Sequence, residues 1–267
     1  MIERDIRVAG EVVRVAGYAD DQYFTGLPTA CSEHDALFAL LRGAGVSPST
    51  ILDVGANFGL FALGAAMTWP QARIGCFEPH PEAFAALQRN VARLGARAVA
   101  ANLAIGSQPC RMRFHVGGPI NLKRSSGSHL MNEAHWKGVT NAPTVSVSTL
   151  DEQLYVQGFE RVEFVKIDVE GYEQDVLEGA TQCIERFSPV VFLEFNSWAL
   201  IAIRNVNPRR FLDFLGARFP FIYRYSADER PKRLRSAEDR SRFLHDNLVR
   251  GGCVDDLLVS TRDFLGY

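Results

Sequence analysis

The chain lacks the marks of most specialised protein classes. It has no run of 18 apolar residues, and its first residues, M-I-E-R-D-I-R, carry no apolar signal segment. Neither a transmembrane segment nor a secretory leader is therefore expected. It lacks a basic excess: 29 Lys and Arg stand against 31 Asp and Glu, a formal net charge of −2. A dedicated nucleic-acid binder ordinarily shows the opposite balance, so nucleic acid is not expected as a partner. It has only five cysteines, Cys31, Cys76, Cys110, Cys183 and Cys253, with no C-x-x-C pair. Odd in number and scattered, they read as small core residues in a reducing, cytoplasmic setting, not as a disulfide frame or a zinc site. Internal repeats and low-complexity tracts are also missing. What is present is 267 residues with 47% hydrophobic and 22% charged content, enough for one large core without staples.

The apolar pattern divides the chain. Ile6, Val8, Val12 and Val15 alternate about Ala9-Gly10 and predict a small hairpin. Ala36, Leu37, Leu40 and Leu41 have helical spacing, with Ser32 as the expected N-cap. Residues 1–49 thus read as a hairpin-and-helix extension. From residue 50 to 267 short β-rich runs alternate with helices. Strands are predicted over Thr50–Val54, Arg73–Phe77, Ala98–Ile105, Arg111–Val116, Val162–Ile167 and Val190–Phe195. Helices are predicted over Phe58–Thr68, Pro81–Leu94 and Tyr172–Phe187. This order demands crossovers and a mostly parallel sheet with helices on both faces, an α/β fold. Two late strands, Phe221–Tyr225 and Asp256–Ser260, bracket a charged helix opened by a capping box at Ser236 and Asp239, and suit an antiparallel edge. The charge run Asp228–Arg242 reads as a solvated helix face.

The sharpest motif is I-L-D-V-G-A-N-F-G-L-F, Ile51 to Phe61, a buried strand, a glycine-bearing turn and a helix start. Such a turn aims backbone N–H groups and a helix N-terminus at a ligand in the crevice. Glu78 stands at the end of the next strand, where a carboxylate can accept both hydroxyls of a ribose. The turn lacks the middle glycine of G-x-G-x-x-G, which disfavours a pyrophosphate and hence a nicotinamide oxidoreductase. Asp53 beside it would repel phosphate and welcome a cationic amine or sulfonium. The expected ligand is a nucleoside carrying positive charge.

D-V-G-A-N-F-G, F-E-P-H-P, A-N-L-A-I-G, V-K-I-D-V-E-G-Y-E and F-L-E-F-N, taken in series over residues 50 to about 197, resemble the FkbM family of S-adenosylmethionine-dependent methyltransferases. The resemblance implies a Rossmann-like class I fold, a seven-stranded mostly parallel sheet with an antiparallel last strand. It implies O-methylation of a hydroxyl on a sugar, glycan or natural-product acceptor. Carried over residue by residue, Asp53, Gly55, Asn57 and Gly59 would surround the methionine part of the cofactor. Glu78 would hold the ribose, and Asn102 with Leu103 would border the adenine.

A hydroxyl is a poor nucleophile, so its proton needs a base or a metal. Asp168, Glu194 and Asn196 end neighbouring strands and offer oxygens to a hard ion such as Mg²⁺. The bland alternative gives Asp168 to the cofactor's amine, Glu170 to a helix cap and Glu194 to the substrate. His129, in S-S-G-S-H-L within a long polar loop, is the candidate base, with His34 and His135 beside Trp136 as second choices. Lys166 reads as polar lining of the sheet. Trp198 and Phe195 could stack on a sugar ring, although aromatics after a buried strand are more often core. N-methylation, protein methylation and a non-catalytic nucleoside-binding module are the alternative functions. The acceptor's identity and a homo-oligomeric state stay open.

Overall fold

The computed structural model describes residues 1–117, 127–131 and 142–266, with the side chains of 22 and 26–32 left aside. The chain opens with β1 (Ile2–Val8) and β2 (Glu11–Gly17), an antiparallel hairpin. Ala9 and Gly10 both take positive φ, 49° and 84°, which matches the twist of a two-residue hairpin turn. Helix α1 (Gln22–Gly43) follows and starts ten residues before the expected cap at Ser32. Its N-cap is Asp21, whose carboxylate accepts the Phe24 N–H at 3.0 Å. The helix runs through Gly26 and Pro28.

The central part runs β3 (Thr50–Val54), α2 (Leu60–Thr68), β4 (Arg73–Phe77), α3 (Pro81–Val91) and β5 (Ala98–Ala101). A tight turn, Ala92–Arg97, ends α3, broken at Gly95 with φ 57°. The expected strand Ala98–Ile105 is two strands. β5 stays in the main sheet, whereas β6 (Ala104–Ile105) joins a smaller sheet with β7 (Cys110–His115), β8 (His129–Leu130) and β9 (Thr144–Ser148). Then come α4 (Leu150–Gln157), β10 (Phe164–Ile167), α5 (Glu173–Glu178) and α6 (Thr181–Phe187), the last two replacing one expected helix. At the break, a Cβ on Gly179 would lie 2.0 Å from the Gly106 carbonyl oxygen, so the backbones meet there. The chain ends with β11 (Val190–Asn196), α7 (Ser197–Ala202), α8 (Pro208–Arg218), β12 (Phe221–Ser226), β13 (Glu229–Arg233), α9 (Ala237–Val249) and β14 (Val254–Ser260). The Ser236–Asp239 capping box at α9 is present.

The main sheet has the order β13-β12-β14-β11-β10-β3-β4-β5. Strands β5, β4, β3, β10 and β11 are parallel, and β14 inserts antiparallel between β11 and β12. This is the expected seven-stranded class I methyltransferase sheet, extended at one edge by β13. The sequence of β13, E-R-P-K-R, hid it in the charge run: only Pro231 is buried, and Pro and Lys suit an edge strand.

Alternation along the strands sorts the two cores and makes the site. Leu52 and Val54 join one cluster, while Ile51, Phe164, Phe192, Leu258 and Tyr225 join the other, on the α1 and α2 side. On that second face the apolar rows give way, at one end of the strands, to Asp53, Lys166, Glu194 and Asp256. Of the cysteines described with side chains, Cys76 and Cys183 are core, Cys253 is half-buried and Cys110 is exposed, and all four are free thiols. Among the described residues no helix is long and apolar enough to cross a membrane.

Candidate functional site

At the carboxyl ends of β3, β4 and β10 lies a cavity of about 240 Å³. The turn after β3 shapes its floor. Gly55 (φ 78°), Asn57 (φ 48°) and Gly59 (φ 81°) all sit in the left-handed region. A Cβ on Gly55 would stand 1.8 Å from the Asp168 carbonyl oxygen, so glycine is required there by the neighbouring strand as well as by φ. Gly59 does not line the cavity. Its Cβ would meet the Leu87 side chain at 2.6 Å, and its role is to start α2 against α3.

Glu78 closes β4, is 7% exposed and lines the cavity. Its Oε2 accepts the Asn57 N–H at 2.8 Å and its Oε1 the His80 N–H at 2.7 Å. Burial pushes its pKa up to about 7 against the pull of those two donors. Each carboxylate oxygen keeps lone-pair capacity for a further donor. Asn102 and Leu103 do not line the cavity; Ala104 and Ile105 do. The Asn102 amide instead donates to the Glu78 and Pro79 carbonyls at 2.8 and 3.1 Å and so buttresses the end of β4. Leu103 packs at the margin of the first core. Phe77, Ile105, Phe114 and Leu130 give the cavity an apolar wall. Asn57 Oδ1 is shut off from solvent with no hydrogen-bond partner among the described residues. An acid at the end of β4, an apolar wall and an unsatisfied acceptor fit a nucleoside with its hydroxyls toward Glu78.

The opposite wall is acidic around one cation. Lys166 Nζ donates to Asp168 Oδ2 at 3.1 Å and to the Gly55 carbonyl at 3.2 Å, and lies 3.5 Å from Asp53 Oδ1. Burial works against its charge, but Asp168 and Asp53 more than offset it and hold the ammonium above its ordinary range. Asp53, fully buried, is itself raised by burial. Asp53 thus reaches the cavity through Lys166, which lines it. Sequence reasoning placed Lys166 only as lining; its position two residues before Asp168, at the end of a strand, was the available signal.

Glu170 does not cap the next helix. Helix α5 has no side-chain cap; Glu173, its first residue, turns back so that its Oε1 accepts the Val169 and Gly171 N–H groups of the preceding turn. Glu170 reaches across to the Gly127 N–H at 2.8 Å and ties residues 127–130 to the cavity rim. There His129, 5% exposed, lines the cavity. Its Nδ1 lies 2.9 Å from the Gly127 carbonyl, so Nδ1 carries the proton and Nε2 is the acceptor atom of the neutral ring. Burial lowers its pKa. His135 and Trp136 lie outside the described residues. Phe195 is core, stacked on Phe211, whereas Trp198 is 58% exposed.

The expected metal triad is corrected by its hydrogen bonds. Asn196 Oδ1 accepts the Ala199 N–H at 2.9 Å as the N-cap of α7, and its amide donates to Glu194 at 3.2 Å. Lys166 holds Asp168. Two of the three oxygen donors are therefore committed, and among the described residues no group of three or more His, Cys, Asp or Glu is placed to hold a metal ion. The residues do not fit Mg²⁺.

Residues 53–221 match the methyltransferase FkbM domain. The chain belongs to the FkbM methyltransferase family. It is 30% identical to methyltransferase sdnD of Sordaria araneosa over 178 residues, 58% of this chain and 68% of that one. It is 28% identical to the 2-O-methyltransferase NoeI of Sinorhizobium fredii, over 56% of this chain and 64% of NoeI. It is equally identical to the hexuronic acid methyltransferase AglP of Haloferax volcanii, over 60% of this chain and 61% of AglP. The matched stretch thus spans less than two thirds of NoeI and of AglP. Among solved structures, methyltransferase FkbM from Methylobacillus flagellatus KT aligns with TM-score 0.47 and 16% identity, over 79% of this chain and 43% of that one. The Bacillus cereus O-methyltransferase in complex with SAH aligns with TM-score 0.46 and 13% identity, over 88% and 81%. This FkbM-family protein is a methyltransferase.

Proposed function

We propose that the protein transfers the methyl group of S-adenosylmethionine to a hydroxyl oxygen of a sugar or natural-product acceptor. The observation that carries the cofactor is Glu78, fixed by two backbone N–H groups at the end of β4 and turned into the cavity. The relatives named for 2-O-methylation and for hexuronic acid methylation support the oxygen acceptor.

When bound, the cofactor supplies an electrophilic methyl carbon. Glu78 accepts hydrogen bonds from the ribose hydroxyls through its remaining lone pairs. Asp168 and Glu170, on the far wall, offer carboxylate oxygens to the cationic amine. Gly55 keeps the floor open to that wall. Glu194 is assigned the acceptor's proton. It lines this cavity and the adjoining one, and Asn196 steadies it. Burial, with Asp168 and Glu170 nearby, holds its pKa well above the ordinary carboxylate range, which makes it a stronger proton acceptor than a solvated carboxylate. His129, with Nε2 as acceptor but lining the cofactor cavity alone, is the second candidate. The remaining work is alignment of oxygen, carbon and sulfur.

The test is transfer of isotope-labelled methyl to a panel of sugars and polyketide alcohols, with the product analysed by mass spectrometry. A methyl ether is expected. Label arriving only on amines or on protein side chains, or cofactor binding with no transfer, would overturn the reading.

A further inference from the structure

A second cavity of about 450 Å³ adjoins the first. Tyr23, His34, Lys166, Asp168 and Glu194 line both, so a molecule in the second cavity meets the first across a shared wall. Its outer walls come from β14 and from the β12–β13 turn, Ser226 to Asp228. The antiparallel strands β12 and β14, with the turn that follows β12, therefore build this space. We infer that the second cavity is the acceptor chamber and that it takes an uncharged, hydroxyl-rich ring while turning away acceptors that carry a carboxylate or a phosphate. The inference rests on the O-methylation reading.

The register forces the chemistry. Glu194 on β11 is directly opposite Asp256 on β14, and Asp256 is directly opposite Tyr225 on β12. Two like charges facing each other across a ladder repel. Glu33 from α1 and Asp228 from the turn add two more carboxylates. The lining holds two cations, and both are engaged: Lys166 with Asp168 and Asp53, and Arg224 with Asp255 at 2.7 Å. His34 adds no charge, because burial drives its pKa down to about 3. Its Nδ1 is shut off from solvent with no hydrogen-bond partner among the described residues, which is an unsatisfied polar group in the wall shared with the cofactor cavity.

Carboxylates accept hydrogen bonds and donate none when ionised, whereas sugar hydroxyls donate. A neutral ring would thus satisfy Glu194 and Asp256 and keep them ionised. An anionic ring would add a further negative charge to carboxyl groups already pushed toward protonation; burial, with Asp168 and Glu33 nearby, raises Asp256 to about 7. The volume lies within the range of small-ligand pockets. On this point the chain departs from its hexuronic acid-modifying relative.

The test compares neutral methyl glycosides of glucose, galactose and mannose with their C6 carboxylate counterparts. Binding is read by saturation-transfer NMR on the full chain holding S-adenosylhomocysteine, so no turnover is needed. At least one neutral ring should bind about tenfold more tightly than its uronate. The double variant Glu194→Gln/Asp256→Asn should narrow that ratio. If it does not fold by circular dichroism, Asp228→Asn, on an exposed turn, should shift the ratio in the same direction. Equal or tighter binding of the uronates, no binding of any ring, or an unchanged ratio in the folded variants would overturn the inference. Methyl-ether formation on uronates with this preference reversed would overturn it while leaving O-methylation standing.

Discussion

Glu78 holds two backbone N–H groups and is assigned the ribose hydroxyls, and its substitutions separate the two parts. Removing the carboxylate takes a charge-assisted partner from the ribose hydroxyls, at a cost of about 1–3 kcal/mol in cofactor affinity. The same change leaves the Asn57 and His80 N–H groups without their acceptor. Glu78→Ala should therefore weaken S-adenosylhomocysteine binding by calorimetry and also lower the melting temperature. Glu78→Gln keeps an acceptor oxygen and should lose affinity with a smaller loss of stability. Unchanged affinity in either folded variant would remove the ribose assignment. Gly55 is a different case. Its Cβ would strike the Asp168 backbone, not a flexible side-chain tip, and φ is positive, so Gly55→Ala should lower stability and abolish cofactor binding together. Gly59→Ala meets the movable tips of Leu87 and Val91, and its cost should fall on stability alone. A Gly55→Ala protein that melts and binds as the parent does would contradict the close approach of β3 and β10.

At the scale of elements, the strands whose ends frame the first cavity were legible because they are buried on both faces. Thr50–Val54 and Arg73–Phe77 match their sequence reading at both ends. Glu78 and the Gly55 turn followed from strand-end position. The split between β5 and β6 was not legible, since Ala98–Ile105 is uniformly apolar apart from Asn102, and that asparagine props β4. Nor was the edge strand β13, which has almost no apolar signal, or the second cavity, since Asp256 gains meaning only when β14 is laid against β11. The metal triad failed for a similar reason, because strand spacing brought Asn196 near Glu194 but could not reveal that its oxygen caps α7. A prediction follows from that strand-end row. Glu194→Gln should lower kcat about a hundredfold or more, with EDTA leaving the parent rate unchanged. Inhibition by EDTA that Mg²⁺ reverses would restore the metal scheme. A Glu194→Gln rate near the parent's, with loss in His129→Ala, would move the base to His129.

Across the whole molecule, the cost of this site is a set of carboxyl groups kept from water. Burial raises Glu78, Glu170, Glu173 and Asp256 to about 7, and raises Glu194 as well. In the unfolded chain such groups titrate near 4. The folded state therefore binds more protons than the unfolded state over the interval between, and stability contributed by these groups is full below about pH 4 and lost as pH rises through 7. The buried histidines act in the opposite sense. His34 is lowered to about 3, and His80 and His129 are lowered too, so their contribution is present above about 6.5 and lost as pH falls below it. Between pH 8.5 and 6.5 the carboxyl groups dominate the change, the histidines begin to oppose them only near pH 6.5, where the unfolded imidazoles are half protonated, and the opposition grows below that. The melting temperature of the ligand-free protein should accordingly be higher at pH 6.5 than at pH 8.5. If the ribose assignment holds, S-adenosylhomocysteine binds best with Glu78 ionised, so it should stabilise more at pH 8.5 and flatten the difference. Glu78→Gln, with nothing to titrate at that position, should show a shallower dependence without ligand. Thermal melts at the two pH values, with and without ligand, decide it: a ligand-free protein that melts higher at pH 8.5 would mean that these carboxyl groups are not buried as the fold places them.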